Sequence, residues 1–380
     1  MTERIRNFLD KIPHDGPVLV VDLEAVRENY LTFSRTMPDT SIYYAVKANP
    51  APEILSLLAE LGSSFDCASV AEIEMVLAAG ATADRISFGN TIKKEADIAR
   101  AHALGVRLFA FDARAELEKI ARAAPGGQVF CRILCDGEGA EWPLSRKFGC
   151  DPAMAEGLME EAQNLGLEPL GLSFHVGSQQ TDLAAWDRAL ATVGGLFRRL
   201  ADKGIVLRLV NLGGGFPARY RRDVPAMEAY SQAIHDAIIA HFGNHPPKTI
   251  IEPGRAMVGN AGIIRSEVVL ISRKDQSKTS EDNPRWVFLD IGKFGGLVEC
   301  MDEAIRYPIR SRRDDDAMEP AIIAGPTCDS ADVLYERNRY PLPLSLDIGD
   351  HILIEATGAY TSTYASVAFN GFAPLKSLVI

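Results

Sequence analysis

Eight short β-like runs follow one another through the first two-thirds of the chain, each separated from the next by a helical pattern. They occupy residues 41–47, 64–68, 85–89, 107–111, 128–133, 171–175, 207–212 and 248–251. The segments between them have a different period. In residues 52–61, Ile54, Leu57, Leu58 and Leu61 recur at spacings of three and four, which puts them on one helical face. Gly62, Gly80, Gly105, Gly166, Gly204 and Gly243 follow such patterns, where a helix C-terminus favours glycine. Strand–helix alternation with short connections calls for parallel strands covered by helices. Eight such units predict an α/β chain with a closed (β/α)8 barrel of the TIM type rather than an open doubly wound sheet.

The texture changes after residue 261. Residues 263–272, 285–289, 321–324 and 351–356 are strand-like without long helices between them, and residues 17–22 are strand-like ahead of the barrel pattern. The expected organisation is a barrel over residues 25–261 and a mainly β domain built from residues 1–24 and 262–380. The polar stretch 274–284 is expected to be a loop. A chain of 380 residues is too long for one small core and suits this division.

Composition removes several function classes. The net charge is −11, and the one dense basic cluster, Arg310, Arg312 and Arg313, runs directly into Asp314, Asp315 and Asp316. That pattern is a solvated loop and offers nucleic acid no basic stripe. No apolar run approaches the ~20 residues that span a bilayer. The first ten residues mix charges and lack the apolar centre of a signal peptide, so a cytoplasmic protein is expected. Six cysteines, Cys67, Cys131, Cys135, Cys150, Cys300 and Cys328, form no CxxC pair and no Cys/His set with zinc spacing. No metal site is expected, and most of these thiols should be reduced and buried.

In a barrel, chemistry sits where strands end and the following loops begin. Here those ends carry Lys47, Asp66, Gly89-Asn90, Arg132, His175 to Ser178, Gly213, Gly214 and Gly215, and Glu252 to Arg255. Polar groups from separate strands therefore converge on one mouth. Lys47 closes an apolar run. It is either a snorkelling surface lysine or an amine whose charge is disfavoured by its surroundings, which suits a Schiff-base nucleophile. The glycine triplet is either a tight turn or a nest of N–H groups for a phosphate, with Arg255 and Ser178 available to the same anion.

The ordered motifs YAVKAN (44–49), FDCAS (65–69), SFHVGSQ (173–179), NLGGGFP (211–217), EPGR (252–255), GPTCDSAD (325–332) and GAYT (358–361) closely resemble the ornithine decarboxylase family of pyridoxal-phosphate enzymes. The likeness runs from about residue 17 to about residue 372. It implies an alanine-racemase-like barrel plus a C-terminal β domain, pyridoxal 5'-phosphate as cofactor, and decarboxylation of a basic L-diamino acid. Ornithine to putrescine leads, with lysine to cadaverine beside it. The resemblance implies that Lys47 carries the cofactor and that Glu252 pairs with its ring nitrogen. His175 would stack on the ring. Ser178, Gly213, Gly214, Gly215, Gly254, Arg255 and Tyr360 would hold the phosphate. Asp66 and Arg132 would support the lysine. Cys328 would protonate the α-carbon and Asp329 would contact the distal amine. It also implies a homodimer in which Cys328 and Asp329 complete the partner's site.

One position departs from the family pattern. An aromatic–Asp pair is implied where this chain has Asp302 and Glu303. The two acids are read as a set that recognises a distal ammonium with Asp329, against the alternative of two surface carboxylates. Diaminopimelate decarboxylase is the nearest rival, but it typically carries Cys-Glu-Ser where this chain has Cys328-Asp329-Ser330. A non-catalytic regulatory homologue is the rival of another class.

Overall fold

The computed structural model of the chain describes residues 3–13, 15–142, 147–275 and 283–380. Most of the polar stretch expected as a loop, residues 276–282, lies outside the described residues. Two compact units emerge. One comprises residues 27–217 and 224–257, and the other residues 1–26, 218–223 and 258–380.

The first unit is the barrel. Its strands are β1 (Thr40–Ala45), β2 (Ser64–Cys67), β3 (Ile86–Phe88), β4 (Leu108–Phe111), β5 (Gln128–Arg132), β6 (Glu168–Ser173), β7 (Leu209–Asn211) and β8 (Lys248–Ile251). All neighbours are parallel, and β8 pairs with β1 through Thr249–Thr40, Ile250–Ser41 and Ile251–Ile42, which closes the ring. The eight expected runs are thus the eight strands. Leu108, Ala110, Phe130, Leu209 and Ile250 form a buried cluster from four of them, with Tyr43 and Leu170 packed against it. The helix Pro52–Glu60 buries Ile54, Leu57 and Leu58 as its spacing predicts. The six glycines after the helices all take positive φ.

Strand ends deviate from the sequence reading. β1 stops at Ala45, and Lys47 sits in the 3-10 turn Val46–Ala48. The ladder to β2 ends at Ala45–Asp66, and the Ala45 N–H turns instead to the Pro253 carbonyl at 3.1 Å. Beyond β2, Ser69 accepts the Glu72 N–H while Glu72 reaches back to the Ala68 N–H. This reciprocal cap sets the start of the helix Val70–Ala78 directly after Asp66.

The second unit is an eight-stranded sheet. Its strands β9 (Gly262–Ser272), β10 (Arg285–Leu289), β11 (Ile309–Ser311), β12 (Met318–Ala324), β13 (Val333–Pro343) and β14 (His351–Glu355) lie in the order β11-β14-β9-β10-β12-β13. Val18–Val21 pairs antiparallel with β9 and parallel with Lys376–Val379, so both ends of the chain join this sheet. The helix Glu3–Leu9 seats Ile5 and Leu9 on Val18, Val20 and Ile263. The long β13 was not expected. Its centre is charged and it holds Pro341 and Pro343, which an edge strand paired only with β12 tolerates. The segment 218–223 belongs here too. Tyr220 meets Tyr307 edge-on at 5.5 Å, and the Arg221 guanidinium lies 4.5 Å from the centre of the Tyr340 ring. Alternation alone does not reveal this excursion.

Candidate active site

At the C-terminal ends of the barrel strands, the structure gathers Lys47, Asp66, Arg132, His175, Ser178, the glycine triplet, Glu252 and Arg255. Lys47 Nζ lies 3.3 Å from Asp66 Oδ2, with the lysine side chain 48% exposed and the aspartate 5%. The amine is therefore ion-paired and half-exposed rather than enclosed by apolar groups as the run before it suggests. Asp66 owes its place to Gly89 on the next loop, because a Cβ there would fall 1.8 Å from Asp66 Oδ1. Ser87 donates to the same oxygen at 3.4 Å.

His175 accepts the Gly177 N–H at Nδ1, 3.0 Å away. Burial, with the cations Arg132 and Lys47 nearby, lowers this imidazole to about 3, so the ring is neutral at neutral pH. Glu252 follows β8. Burial raises its carboxyl to about 7; Asp66 pushes the same way, while Lys47, Asn211 and Arg132 oppose. Arg132 stacks over Phe148 at 5.3 Å.

Asn211, at the end of β7, was not singled out from sequence. It is buried, donates to Glu252 Oε1 and accepts the Gly213 N–H at 2.9 Å. One amide thus ties the carboxylate to the glycine turn. Its only sequence signal is a polar residue closing an apolar strand, which resembles any asparagine that begins a turn. The turn itself needs glycine. Gly213 and Gly215 have φ of 67° and 103°, and a Cβ on either would approach Phe174 O to 2.2 Å or Gly177 O to 2.6 Å. Arg255 is buried, and its Nη2 reaches Ser178 Oγ at 3.2 Å. Gly254 forms the bend before Arg255, its carbonyl accepting the Met257 N–H.

The remaining expected residues belong to the β unit. Tyr360 adopts φ of 55° and packs on Tyr364 at 5.8 Å. Cys328 and Asp329 are exposed on the loop after β12. The other five cysteines are buried or half-buried, and all six are unpaired. Asp302 has φ of 52° and a side chain 79% exposed, 3.7 Å from Arg337. Glu303 is bonded within the β unit. Its carboxylate accepts the N–H groups of Glu336, Arg337 and Asn338 and the Asn338 side chain, and pairs with Arg306. Within this chain it anchors the backbone of β13 at residues 336–338. No hydrogen bond or ion pair joins Asp302, Glu303 and Asp329 to one another among the described residues.

An amine, a buried carboxylate of raised pKa, a neutral imidazole and an arginine–serine pair beside a glycine turn suit one kind of ligand. It bears an aldehyde, a basic ring nitrogen and a phosphate, which is the chemistry of pyridoxal phosphate. The set defines a barrel enzyme built around that group. The chain belongs to the pyridoxal-dependent decarboxylases, whose pyridoxal binding domain matches residues 23–259. It is a pyridoxal-phosphate-dependent amino-acid decarboxylase.

Relatives agree. The lysine/ornithine decarboxylase of Selenomonas ruminantium is 36% identical over 372 residues, covering 97% of this chain and 90% of that protein. A crystal structure of lysine decarboxylase from the same organism superposes with a TM-score of 0.88 at 34% identity, covering 100% of this chain and 96% of that one. Antizyme inhibitor 2 of Xenopus laevis is also similar, 33% identical over 98% of this chain and 82% of that protein. The arginine decarboxylase of Paramecium bursaria Chlorella virus superposes with a TM-score of 0.90 at 28% identity, over 100% of both chains.

Proposed function

We propose that this enzyme decarboxylates a basic L-diamino acid, with ornithine, giving putrescine, as the first substrate and lysine, giving cadaverine, as the second. The observation that carries this reading is the near full-length identity to the Selenomonas enzyme, whose name covers both substrates. A lysine/ornithine decarboxylase of Vibrio vulnificus, solved with cadaverine and with putrescine, supports it at 29% identity. One methylene separates the two amino acids, which a pocket discriminates by only ~1–3 kcal/mol.

Bound pyridoxal phosphate supplies an electron sink for the bond that loses carbon dioxide. The chain's residues do the rest. Lys47 holds the cofactor through its amine, with Asp66 and Arg132 orienting it. Glu252 keeps a proton at the ring nitrogen; its affinity for protons, already high, suits sharing one. The neutral His175 ring would lie against the bound cofactor. Arg255, Ser178, Gly254 and the amides of Gly213, Gly214 and Gly215 bind the phosphate, joined by Tyr360. Cys328 delivers a proton to the substrate α-carbon, and Asp329, with Asp302 and Glu303, takes the distal ammonium. A homodimer shares these residues between subunits. We place its work in the cytoplasm, where an exposed thiol such as Cys328 stays reduced.

Steady-state carbon dioxide release from ornithine, lysine, arginine and meso-diaminopimelate tests the substrate. Turnover should be highest on the first two. Preference for diaminopimelate would overturn the reading. A cofactor-free spectrum with no turnover would favour a regulator like the antizyme inhibitor.

A further inference from the structure

The loop that carries Cys328 is held at two consecutive amides by two different parts of the β unit. Asp332, 2% exposed, accepts the Thr327 N–H at 3.2 Å and the Thr327 hydroxyl at 2.7 Å. Its other oxygen accepts the Lys293 N–H at 2.8 Å. The next amide, the Cys328 N–H, goes 42 residues along the chain to the side-chain oxygen of Asn370, at 3.1 Å. Asn370 has φ of 51°, a left-handed backbone, and Ala368 beside it has φ of 60°. Asparagine tolerates this conformation better than most residues, but two such positions within three residues cost free energy. The segment is nonetheless fixed. Ser366 N–H donates to the Phe294 carbonyl at 2.8 Å, and Phe369 packs on Phe294 with ring centres 4.6 Å apart. Lys293 and Phe294 thus anchor both the thiol loop and the segment that presents Asn370.

We propose that Asn370 is a positioning residue for the Cys328 thiol, its amide oxygen fixing the backbone from which the sulfur projects. This rests on the reading that Cys328 delivers the α-carbon proton. When the bond to carbon dioxide breaks, the electron pair left at the α-carbon takes the thiol proton and forms a C–H bond. The sulfur keeps the S–H pair as a thiolate and is reprotonated from solvent. Such a transfer works only from hydrogen-bond reach, so a displaced loop misplaces the proton. A proton that lands on the cofactor instead yields, after hydrolysis, an aldehyde, and leaves the substrate nitrogen on the cofactor. The Asp332 bonds to Thr327 and Lys293 remain when the asparagine is removed, so the loop keeps its main anchor. The consequence is therefore one of position rather than of folding.

Three variants of the holoenzyme test this. Asn370→Gly keeps the left-handed backbone and removes the acceptor. Asn370→Asp keeps the acceptor and adds a charge. Cys328→Ala removes the thiol. The first measurement is the ratio of aldehyde to amine product. Asn370→Gly should raise it several-fold, in the same direction as Cys328→Ala, at unchanged melting temperature and cofactor absorbance; Asn370→Asp should stay near the unmodified ratio. The second is the pH dependence of Cys328 alkylation by iodoacetamide in cofactor-free protein, read by peptide mass. Asn370→Asp should move its midpoint upward, because a nearby carboxylate disfavours the thiolate. If Cys328→Ala raises the ratio and Asn370→Gly does not, the positioning role is wrong. A fall in kcat of Asn370→Gly at an unchanged ratio, or an unmoved alkylation midpoint in Asn370→Asp, overturns it equally. An unchanged ratio in Cys328→Ala overturns the proton-donor reading and the proposal with it.

Discussion

Lys47 and Glu252 lie just past the ends of neighbouring strands of the closed barrel, β1 and β8, and their environments set their chemistry in opposite ways. Lys47 is half-exposed beside Asp66, which stabilises an ammonium until a carbonyl ligand displaces it. Lys47→Ala should therefore leave protein that folds but shows no cofactor absorbance band after dialysis against pyridoxal phosphate, while unmodified protein retains it. Glu252 carries the opposite strain. Burial raises its carboxyl from 4.5 to about 7, so in cofactor-free protein the unfolded chain ionises first as pH climbs. The folded state is then progressively penalised between those values, because it binds the proton that the unfolded chain has lost. Glu252→Gln removes that penalty. The urea midpoint of cofactor-free Glu252→Gln should gain on that of the unmodified protein as pH rises from 4.5 to 7. The same substitution should slow decarboxylation by on the order of 10²-fold, the scale typical for loss of one preorganised charge-stabilising group. Stability gained and turnover lost in one variant would identify this carboxylate as placed for catalysis at the expense of the apo fold.

At the scale of elements, the ladder of β13 is interrupted where Glu303 meets it. Its pairing with β12 shifts register between Ala321 and Ile323 and again before Ala324, and the N–H groups of 336–338 turn to the Glu303 carboxylate. Burial by itself would raise that carboxyl, but the bonds from Asn338, Glu336 and Arg337 hold it below its ordinary range. A depressed folded-state pKa contributes stability that is present above about 4.5 and is lost as pH falls through the lowered value. Glu303→Ala should cost about 0.5–1.5 kcal/mol at neutral pH, the net worth of an intramolecular hydrogen bond whose exposed donors can turn to water. Asp302→Ala, with a largely exposed side chain, should change stability by less than about 0.5 kcal/mol. Urea unfolding of both variants at pH 7 and pH 4 measures the contrast, and the cost of Glu303→Ala should shrink at the lower pH.

The residues proposed for the site belong to different units: Lys47, His175 and Glu252 to one, Cys328, Asp329 and Tyr360 to the other. If the active form is a homodimer whose sites draw on both subunits, an inactive and a strongly impaired variant can complement each other. Mixing Lys47→Ala with Cys328→Ala and allowing subunit exchange should restore activity, since a mixed dimer holds one site with both residues intact and one with neither. About a quarter of normal activity is expected from statistical mixing, because half the dimers then carry one working site of two. No recovery, with exchange verified by native mass measurement, would mean that both residues serve one chain's site.

Local pattern determined much of this protein. Strand–helix alternation determines eight barrel strands because each βα unit must bury its own apolar face, and periodicity shows that face without reference to anything distant. The same rule marks the mouth, since a polar residue at the end of an apolar strand has few other places to point. Lys47, Asp66, Arg132, His175, Glu252 and Arg255 were legible for that reason. Tertiary structure alone decided the rest. Asn211 holds Glu252 across neighbouring strands, Gly89 makes room for Asp66, and Glu303 binds strand N–H groups more than 30 residues away. Each depends on which backbone N–H or carboxylate lies opposite. The Ala218–Asp223 excursion and the charged edge strand Val333–Pro343 were hidden likewise. Their stabilising partners, Tyr307, Tyr340 and β12, are far along the chain, and a one-dimensional pattern carries no record of a contact between distant segments.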